Sequence, residues 1–138
     1  MNVYLDIDGV LLACEGATSA YADEFLKKVV TENLGNVYWL TTHQWLGENR
    51  AVERLEPHLK PETVELIKLI RPTQWGEFKT EGIDFTEPFL WFDDDLFPEE
   101  EKVLREHGVL ENHISVDLYK DPNQLTKFIN SFPTPKNN

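Results

Sequence analysis

Oxygen-bearing side chains follow several short apolar runs of this sequence. Like charges held close together raise one another's pKa and cost stability unless a cation neutralises them. Carboxylates and hydroxyls that converge therefore indicate a hard divalent ion, Mg²⁺ with retained waters, whose expected counter-ligand is a phosphoryl group. The residues concerned, in chain order, are Asp6, Asp8, Thr41, Thr42, His43, Asp93, Asp94 and Asp95.

Each of these acids, taken alone, also has an ordinary structural explanation, because Asp is a common turn residue. Asp6 fits that explanation poorly: apolar residues precede and follow it, so it belongs to a strand, where carboxylates are rarely buried without a partner. Asp95 fits a turn as well as it fits a metal site. A His directly after a strand, such as His43, is more often a polar lining residue than a catalytic one. The set as a whole, rather than any single acid, indicates a functional site.

Four short runs rich in β-branched and aromatic residues predict strands. They cover residues 3–5, 37–40, 89–92 and 114–116. Apart from Ser115 the runs are apolar throughout, without the regular alternation of a half-buried strand, which is typical of a parallel sheet covered on both faces. In such a sheet, ligands bind outside the carboxyl ends of the strands, which is where the acids fall.

Amphipathic spacing predicts helices between these strands. One helix covers residues 19–30, one follows Pro98 and one follows Pro122. Segment 44–76 is predicted to be mostly helical, although residues 64–70 also have the composition of a strand. Strand and helix therefore alternate, and the predicted fold is α/β, a doubly wound, Rossmann-like parallel sheet of about five strands.

The composition predicts one soluble domain. The chain has 138 residues, 41% of them hydrophobic, which is enough for one core, and a formal net charge of −12. That charge repels phosphate backbones and anionic headgroups, so a polyanion would have to be held locally. The single cysteine, Cys14, excludes an internal disulfide, and the sequence shows neither a secretory signal nor an apolar stretch of membrane-spanning length. We expect a cytoplasmic protein with one domain over residues 1–132 and a frayed tail over 133–138.

The order and spacing of these motifs resemble the haloacid dehalogenase (HAD) superfamily. Asp-Ile-Asp-Gly-Val at residues 6–10 is similar to motif I, an apolar strand that ends in Asp-x-Asp-Gly. Val-Tyr-Trp-Leu-Thr, which ends at Thr41, is similar to motif II, and the strand followed by paired acids at residues 93–94 is similar to motif IV. Motif III is a lone lysine, for which Lys79 is the best-placed candidate and Lys68 a competitor.

The resemblance implies a phosphatase mechanism. Asp6 would attack phosphorus and form an aspartyl-phosphate, and Asp8 would protonate the leaving oxygen and then activate water. Thr41 and the Thr42 amide would hold the transferring phosphoryl group. Gly9 belongs to the same substrate-binding set, because its turn lets the chain leave the strand and carry Asp8 round the substrate.

The resemblance also implies the metal ligands. Mg²⁺ would be bound by the Asp6 carboxylate, the Asp8 backbone carbonyl and Asp93, with Asp94 acting directly or through water. Lys79 would offset the remaining negative charge and orient Asp6. These residues make Mg²⁺ the expected cofactor.

Little room is left for the cap domains that distinguish HAD family members. Residues 11–18 allow only a short flap, and residues 43–78 must hold the crossover helices. The chain is thus similar to the small capless HAD phosphatases, and in detail to the HAD domains that accompany RNA-repair enzymes. The function this implies is a Mg²⁺-dependent phosphomonoester hydrolase, acting on a nucleotide, a nucleic-acid end or another large phosphorylated substrate.

Specificity in an open site falls on rim residues, for which the candidates are Glu15, Trp45, Trp75 and Phe97. Trp45 and Trp75 could stack on a base, although packing in the core explains them equally well. Because the net charge is negative, a nucleic-acid end would be held by stacking, Mg²⁺ and a few local bases. Those bases are Arg50, Arg54 and Lys79.

Two other functions remain open. A receiver-like phosphoacceptor domain also combines Asp, Thr, Lys and Mg²⁺ on a doubly wound sheet, but it places paired acids after the first strand and its acceptor Asp later. A catalytically inactive HAD module used for protein binding is the other alternative. The presence of Asp6, Asp8, Thr41 and Asp93 argues against it.

Overall fold

In a computed structural model of the chain, four parallel strands in the order β2-β1-β3-β4 form the frame of the fold. Each strand lies within one residue of a predicted run, and the predicted parallel α/β sheet is confirmed. The strands are β1 (Asn2–Leu5), β2 (Val37–Trp39), β3 (Phe89–Asp93) and β4 (His113–Ser115).

The structure describes residues 1–13, 21–42 and 50–136. None of the helices in this part of the chain has the length and apolar character needed to span a bilayer. Four residues that the sequence singled out lie outside the described residues, namely Cys14, Glu15, His43 and Trp45.

The described residues form four strands, where the sequence predicted about five. At the β2 edge, Arg71 forms an isolated parallel bridge with Tyr38. Its N–H donates to the Val37 carbonyl (2.9 Å), and its own carbonyl accepts from the Trp39 N–H (2.8 Å). The next backbone group that could pair with β2 is the Thr73 N–H, but the Trp39 carbonyl that it would reach accepts instead from the Thr73 hydroxyl (2.6 Å). The chain therefore adds one paired residue at this edge rather than a strand.

Five α-helices flank the sheet in the described residues. The doubtful middle segment is helical: Pro61 occupies the first turn of α3, and the strand alternative for residues 64–70 is wrong. The helices are α1 (Ala22–Glu32), α2 (Ala51–Leu55), α3 (Pro61–Ile67), α4 (Pro98–Glu106) and α5 (Leu125–Asn130), and 3₁₀ turns cover Glu56–His58, Lys79–Gly82 and Leu110–Asn112.

Both faces of the sheet are buried along the central strands β1 and β3, as the unbroken apolar runs predicted, whereas the edge strand β4 is half-buried and its Ser115 is exposed. Alternate residues of β1 point to opposite faces, so Val3 and Leu5 join one apolar cluster and Tyr4 joins the other. The first cluster includes residues of α1, α2, α3 and α5, with Phe25 of α1 at 0% exposure. The second is covered by α4 through Leu104. This two-sided packing fixes the strand ends that carry the acids.

The tail passes the amino end of β4, where Asn112 binds Lys136. The buried side-chain amide of Asn112 donates to the Lys136 carbonyl (2.8 Å) and accepts from the Lys136 N–H (2.7 Å). These two bonds hold the last described residue, which lies within the segment that the sequence predicted to be frayed.

Candidate active site

The carboxyl ends of β1, β2 and β3 bring the predicted site residues to one edge of the sheet. Asp6 follows β1 directly, and its N–H donates to the Phe92 carbonyl (3.0 Å). This bond sets Asp6 beside Asp93, the last residue of β3. Thr41 comes two residues after β2, on the other side of β1. The parallel register therefore gathers residues that are far apart along the chain.

Asp6, Asp93 and Asp94 form the acidic cluster at this edge. One carboxylate oxygen from each lies within 4.8 Å of the other two. Asp6 and Asp93 are buried, at 7% and 1% exposure, whereas Asp94 is exposed. Oxygen atoms at this spacing suit a hard divalent ion such as Mg²⁺, which prefers carboxylate ligands and keeps several waters.

Burial and mutual repulsion perturb the titration of the three acids. Loss of water contact, and then the charge of Asp93, raises the pKa of Asp6 from 3.8 to about 6, against the opposing charge of Lys79. Burial is also the first cause of the raised pKa of Asp93 and of Asp94. A cation bound here would favour the ionised carboxylates and lower these pKa values.

Lys79 places its ammonium between two of these carboxylates. Its Nζ lies 2.7 Å from Asp93 Oδ2 and 3.2 Å from Asp6 Oδ2, and its side chain is 15% exposed. Burial alone would lower the pKa of Lys79, but the charges of Asp6 and Asp93 outweigh it and raise that pKa. Lys68, the competing lysine, instead pairs with Glu65 on the surface (2.8 Å). Of these two lysines, Lys79 is the one that meets the acidic cluster.

Two further donors hold Asp93 in place. Trp91 Nε1 donates to its Oδ2 (3.1 Å), and the Asp95 N–H donates to its Oδ1 (3.1 Å). His113 supports the same corner, because its ring packs edge-on against Trp91 at 4.7 Å and its Nε2 lies 3.1 Å from the Asp95 carbonyl. The Asp95 carboxylate itself accepts from the Leu96 N–H (2.8 Å). Asp95 thus supports the cluster through its backbone.

Glu100 is a residue of this site that sequence reasoning missed. It lies on α4 at 3% exposure, and its Oε2 accepts from the Lys79 N–H (2.9 Å). Its Oε1 accepts from the Phe97 N–H at the start of the helix (3.0 Å). One carboxylate therefore joins the turn that carries Lys79 to the first turn of α4. A Glu three residues after the N-cap is a recognised capping position, so this helix-capping contact had a sequence signal.

The turn after Asp6 requires glycine at position 9. Gly9 has φ +80°, its N–H donates to the Leu12 carbonyl (2.9 Å), and its carbonyl accepts from the Leu118 N–H (3.1 Å). A Cβ at Gly9 would collide with the Asp94 carboxylate, with Cγ at 2.7 Å. Both the left-handed backbone and the close approach of Asp94 therefore exclude a side chain here.

Asp8 forms a partly exposed ion pair with Arg54. Arg54 Nη2 lies 3.2 Å from Asp8 Oδ1, and the two side chains are 36% and 48% exposed. Arg54 reaches Asp8 from α2, which is anchored in the core by Ala51 and Leu55. The sequence offered Arg54 only as one of several local bases, and the fold supplies its partner.

A cleft of about 380 Å³ opens above the acidic cluster. Thr42 lines it, while Thr41 is buried beneath and hydrogen-bonds to Asp6 through its side chain, which opposes the rise in the pKa of Asp6. Trp75 and Phe97 also line the cleft, and Phe97 is 50% exposed. The remaining lining residues are Asp6, Asp8, Glu77, Lys79, Asp93, Asp94, Asp95 and Glu100.

Comparisons of the chain with protein-family models, with curated proteins and with solved structures found no match. The features that bear on function are those of the site itself. They are three carboxylates within reach of one cation, a half-buried lysine between two of them, and a fourth carboxylate paired with an arginine.

Proposed function

We propose that this chain is a Mg²⁺-dependent phosphomonoester hydrolase of the capless HAD type, acting through an aspartyl-phosphate on Asp6. The observation that carries the proposal is the meeting of Asp6, Asp93 and Asp94 within 4.8 Å, with Lys79 between Asp6 and Asp93. Buried like charges at this spacing are costly without a cation, which favours a functional site over a structural one. The order of these residues along the chain also matches the HAD motifs that the sequence resembles.

The residues that would hold Mg²⁺ are Asp6, Asp93 and Asp94, with the Asp8 backbone carbonyl added by the resemblance. When bound, the ion would neutralise charge on the phosphoryl oxygens and on the carboxylates around them. With a pKa of about 6, Asp6 is mostly ionised near neutral pH and is therefore available as a nucleophile.

In the first half of the reaction, a carboxylate oxygen of Asp6 attacks phosphorus. The bond between Asp6 and phosphorus forms as the bond to the leaving oxygen breaks. Asp8 protonates the leaving oxygen as a general acid. Lys79, held against Asp6 and Asp93, offsets the negative charge of the site.

In the second half, water attacks the phosphorus of the aspartyl-phosphate. Asp8 takes the proton of that water, the bond between Asp6 and phosphorus breaks, and inorganic phosphate leaves. Asp8 gives one proton in the first step and regains one in the second, so both carboxyl groups return to their starting states. Thr41 and the Thr42 amide hold the phosphoryl oxygens between the two steps.

The openness of the cleft supports a large substrate, such as a nucleotide or a phosphorylated nucleic-acid end. Within the described residues, no inserted domain covers the cleft. Trp75 and Phe97 line it, and stacking of a base on an aromatic ring contributes about 1–3 kcal/mol. An uncapped site has to take affinity from such rim contacts, because it cannot enclose a small metabolite.

Hydrolysis of an aryl phosphate with and without Mg²⁺ tests the proposal directly. The matched variants are Asp6→Asn in the site and Asp84→Asn, which makes the same change in the exposed turn before β3 where Asp84 binds the Thr86 N–H. We expect Mg²⁺-dependent phosphate release by the wild type and by Asp84→Asn, and none above background by Asp6→Asn. Asp8→Asn should lose on the order of 10²–10⁴-fold in rate, as is typical for a general acid and base.

The same protein preparations separate the alternatives. A phosphoacceptor domain would take up one phosphoryl group on Asp6 from a small acyl phosphate without continuing to release phosphate. An inactive protein-binding module would neither take up nor release phosphate. Turnover that Asp6→Asn leaves unchanged would contradict the aspartyl-phosphate mechanism.

A further inference from the structure

We propose that Arg54 recognises a second anionic group of the substrate, a phosphate or phosphodiester carried by the leaving group next to the scissile phosphomonoester. The inference rests on the proposed function and adds to it the chemical class of the leaving group. It makes Arg54, which contacts the cleft residue Asp8, a specificity-determining residue of the same site.

The charge of the cleft is the first observation. Among the described residues, its lining contains seven acidic residues and one basic residue, Lys79. Lys79 is already committed to Asp6 and Asp93, and its side chain is only 15% exposed. A phosphoryl group at the acidic cluster would be neutralised there by a bound metal ion, but a second anion on the same substrate would find no further cationic side chain along the described lining. Such a substrate needs a cation at the edge of the cleft.

The position of Arg54 is the second observation. Its guanidinium contacts Asp8, which follows the nucleophilic Asp6 by two residues and would act on the leaving oxygen. A guanidinium carries five N–H donors and binds phosphate oxygens in pairs, whereas the contact with Asp8 uses Nη2. The buried Ala51 and Leu55 anchor α2, so the guanidinium is presented from a fixed base. Arg54 is therefore placed on the leaving-group side of the reaction.

The weakness of the Arg54–Asp8 pair is the third observation. Both side chains are at least one-third exposed, and ion pairs of this kind contribute little to stability because solvent screens them. Arg54 can consequently exchange the Asp8 carboxylate for a substrate anion at small cost. The exchange also breaks the contact between Arg54 and Asp8, the residue that the proposed mechanism assigns to the leaving oxygen.

The test compares two dinucleotides that differ by one charge. Both carry a terminal phosphomonoester. One has an internal phosphodiester, and the other has an uncharged methylphosphonate in the same place. The pair is made in two versions, one with the terminal phosphate at the 5′ end and one with it at the 3′ end. We expect the wild type to prefer the charged linkage by about tenfold in kcat/KM for at least one end, the size of one charge-assisted hydrogen bond.

Variants assign that preference to Arg54. Arg54→Gln should bring the ratio between the two dinucleotides close to one, and Arg54→Lys should keep part of it, because the charge stays while the paired donors are lost. Arg105→Gln is the matched control: it removes an arginine from the exposed face of α4, where Arg105 pairs with Glu101 at 2.7 Å. That variant should keep the wild-type ratio. A ratio between two substrates is insensitive to a general loss of folded protein.

Binding supplies a readout that does not depend on turnover. Titration of Asp6→Asn with the two dinucleotides should show the same preference in Kd, and adding Arg54→Gln should abolish it. The role of Arg54 would be overturned if the wild type showed no preference between the two dinucleotides with the phosphate at either end, or if Arg54→Gln left the preference unchanged. Hydrolysis of the aryl phosphate would still support the proposed function in both cases. Failure of the wild type to hydrolyse both the aryl phosphate and the dinucleotides would overturn the proposed function and this inference together.

Discussion

At the residue scale, the buried carboxyl group of Asp6 couples the site to the stability of the fold. Its pKa rises from 3.8 to about 6 because burial and the charge of Asp93 disfavour ionisation. An acid with a higher pKa in the folded state binds its proton more tightly there. Its contribution to stability is therefore complete below pH 3.8 and is lost as the pH rises through about 6.

The first prediction follows from that sign. Without metal, the wild type should lose roughly 2 kcal/mol more free energy of unfolding between about pH 4 and pH 7 than Asp6→Asn, whose side chain is neutral throughout. Denaturant unfolding of both proteins at several pH values checks this. Parallel pH profiles for the two proteins would contradict the burial of an ionisable Asp6.

The second prediction concerns Gly9, whose positive φ is shared by Gly108 but whose surroundings are not. Gly108 has φ +69° with nothing within 4 Å of an added Cβ, whereas a Cβ at Gly9 collides with Asp94. Gly108→Ala should cost about 1 kcal/mol from backbone strain alone. Gly9→Ala should cost clearly more and should also abolish the stabilisation by Mg²⁺, because Asp94 has to move.

Thermal unfolding of the two glycine variants, with and without Mg²⁺, separates the backbone term from the steric term. The two variants share the loss of conformational freedom, so a difference between them reports the contact with Asp94. Equal losses of stability and equal responses to Mg²⁺ would show that only the backbone conformation matters at position 9.

At the element scale, the 3₁₀ turn Lys79–Gly82 is held at two points by carboxylates. Glu81 accepts from the Phe78 N–H (2.7 Å), and Glu100 of α4 accepts from the Lys79 N–H (2.9 Å). The turn is therefore tied both to itself and to a helix packed on the sheet. This explains how a lysine on a short irregular segment can reach two buried carboxylates.

The third prediction tests that support. Glu100→Ala leaves the N–H groups of Lys79 and Phe97 without their acceptor, and it should cost about 2–3 kcal/mol in free energy of unfolding. It should also reduce phosphatase activity, because Lys79 loses its fixed position. Glu99→Ala, at the exposed neighbouring residue, should change the stability by no more than about 0.5 kcal/mol and is the control. Similar effects of the two substitutions would contradict a supporting role for Glu100.

At the scale of the whole molecule, the acidic cluster joins the carboxyl ends of β1 and β3. Asp6 repels Asp93 across these neighbouring strands, so the folded state carries a charge conflict that an ion would relieve. An ion that binds only the folded protein adds about 2.7 kcal/mol at a hundredfold excess over its Kd.

The fourth prediction is that millimolar Mg²⁺ raises the Tm of the wild type. Asp93→Asn should lose most of this gain. Asp95→Asn should retain the stabilisation by Mg²⁺, because the Asp95 carboxylate binds the Leu96 N–H and is not part of the acidic cluster of Asp6, Asp93 and Asp94. A wild-type Tm that does not respond to Mg²⁺ would count against a shared metal site.

The fifth prediction concerns salt and the net charge of −12. If Arg54 is the main cationic side chain that contacts the oligonucleotide, affinity for a phosphorylated oligonucleotide end should fall only about threefold between 50 and 200 mM salt. The reason is that one phosphate contact releases about one counterion. Titration at several salt concentrations measures this slope. A hundredfold or greater fall in affinity would require several phosphate contacts. It would contradict the prediction that a few local groups hold the nucleic-acid end.

The strands and the identity of the acidic edge were predictable from local patterns. Residues 89–92 are apolar at every position and rich in aromatic side chains, which favours a strand buried on both faces, and the acids that follow such a strand lie at its carboxyl end. The prediction was weaker between residues 44 and 76, where a short apolar run suits a helix and a strand alike. A fifth strand was expected, but the pairing of Arg71 ends after one residue, because the Trp39 carbonyl accepts from the Thr73 hydroxyl and not from the Thr73 N–H.

The sequence by itself determined the sheet, its two buried faces and the edge at which Asp6, Thr41 and Asp93 meet, because hydrophobic periodicity and strand ends are properties of neighbouring residues. Only the tertiary structure decided which lysine reaches the acids, that Glu100 holds its turn, and that Arg54 pairs with Asp8 from 46 residues away. Such pairings depend on where helices and turns pack against the sheet. Since a charged residue on a polar segment has the same local signature whether it faces solvent or a cleft, packing alone distinguishes the two.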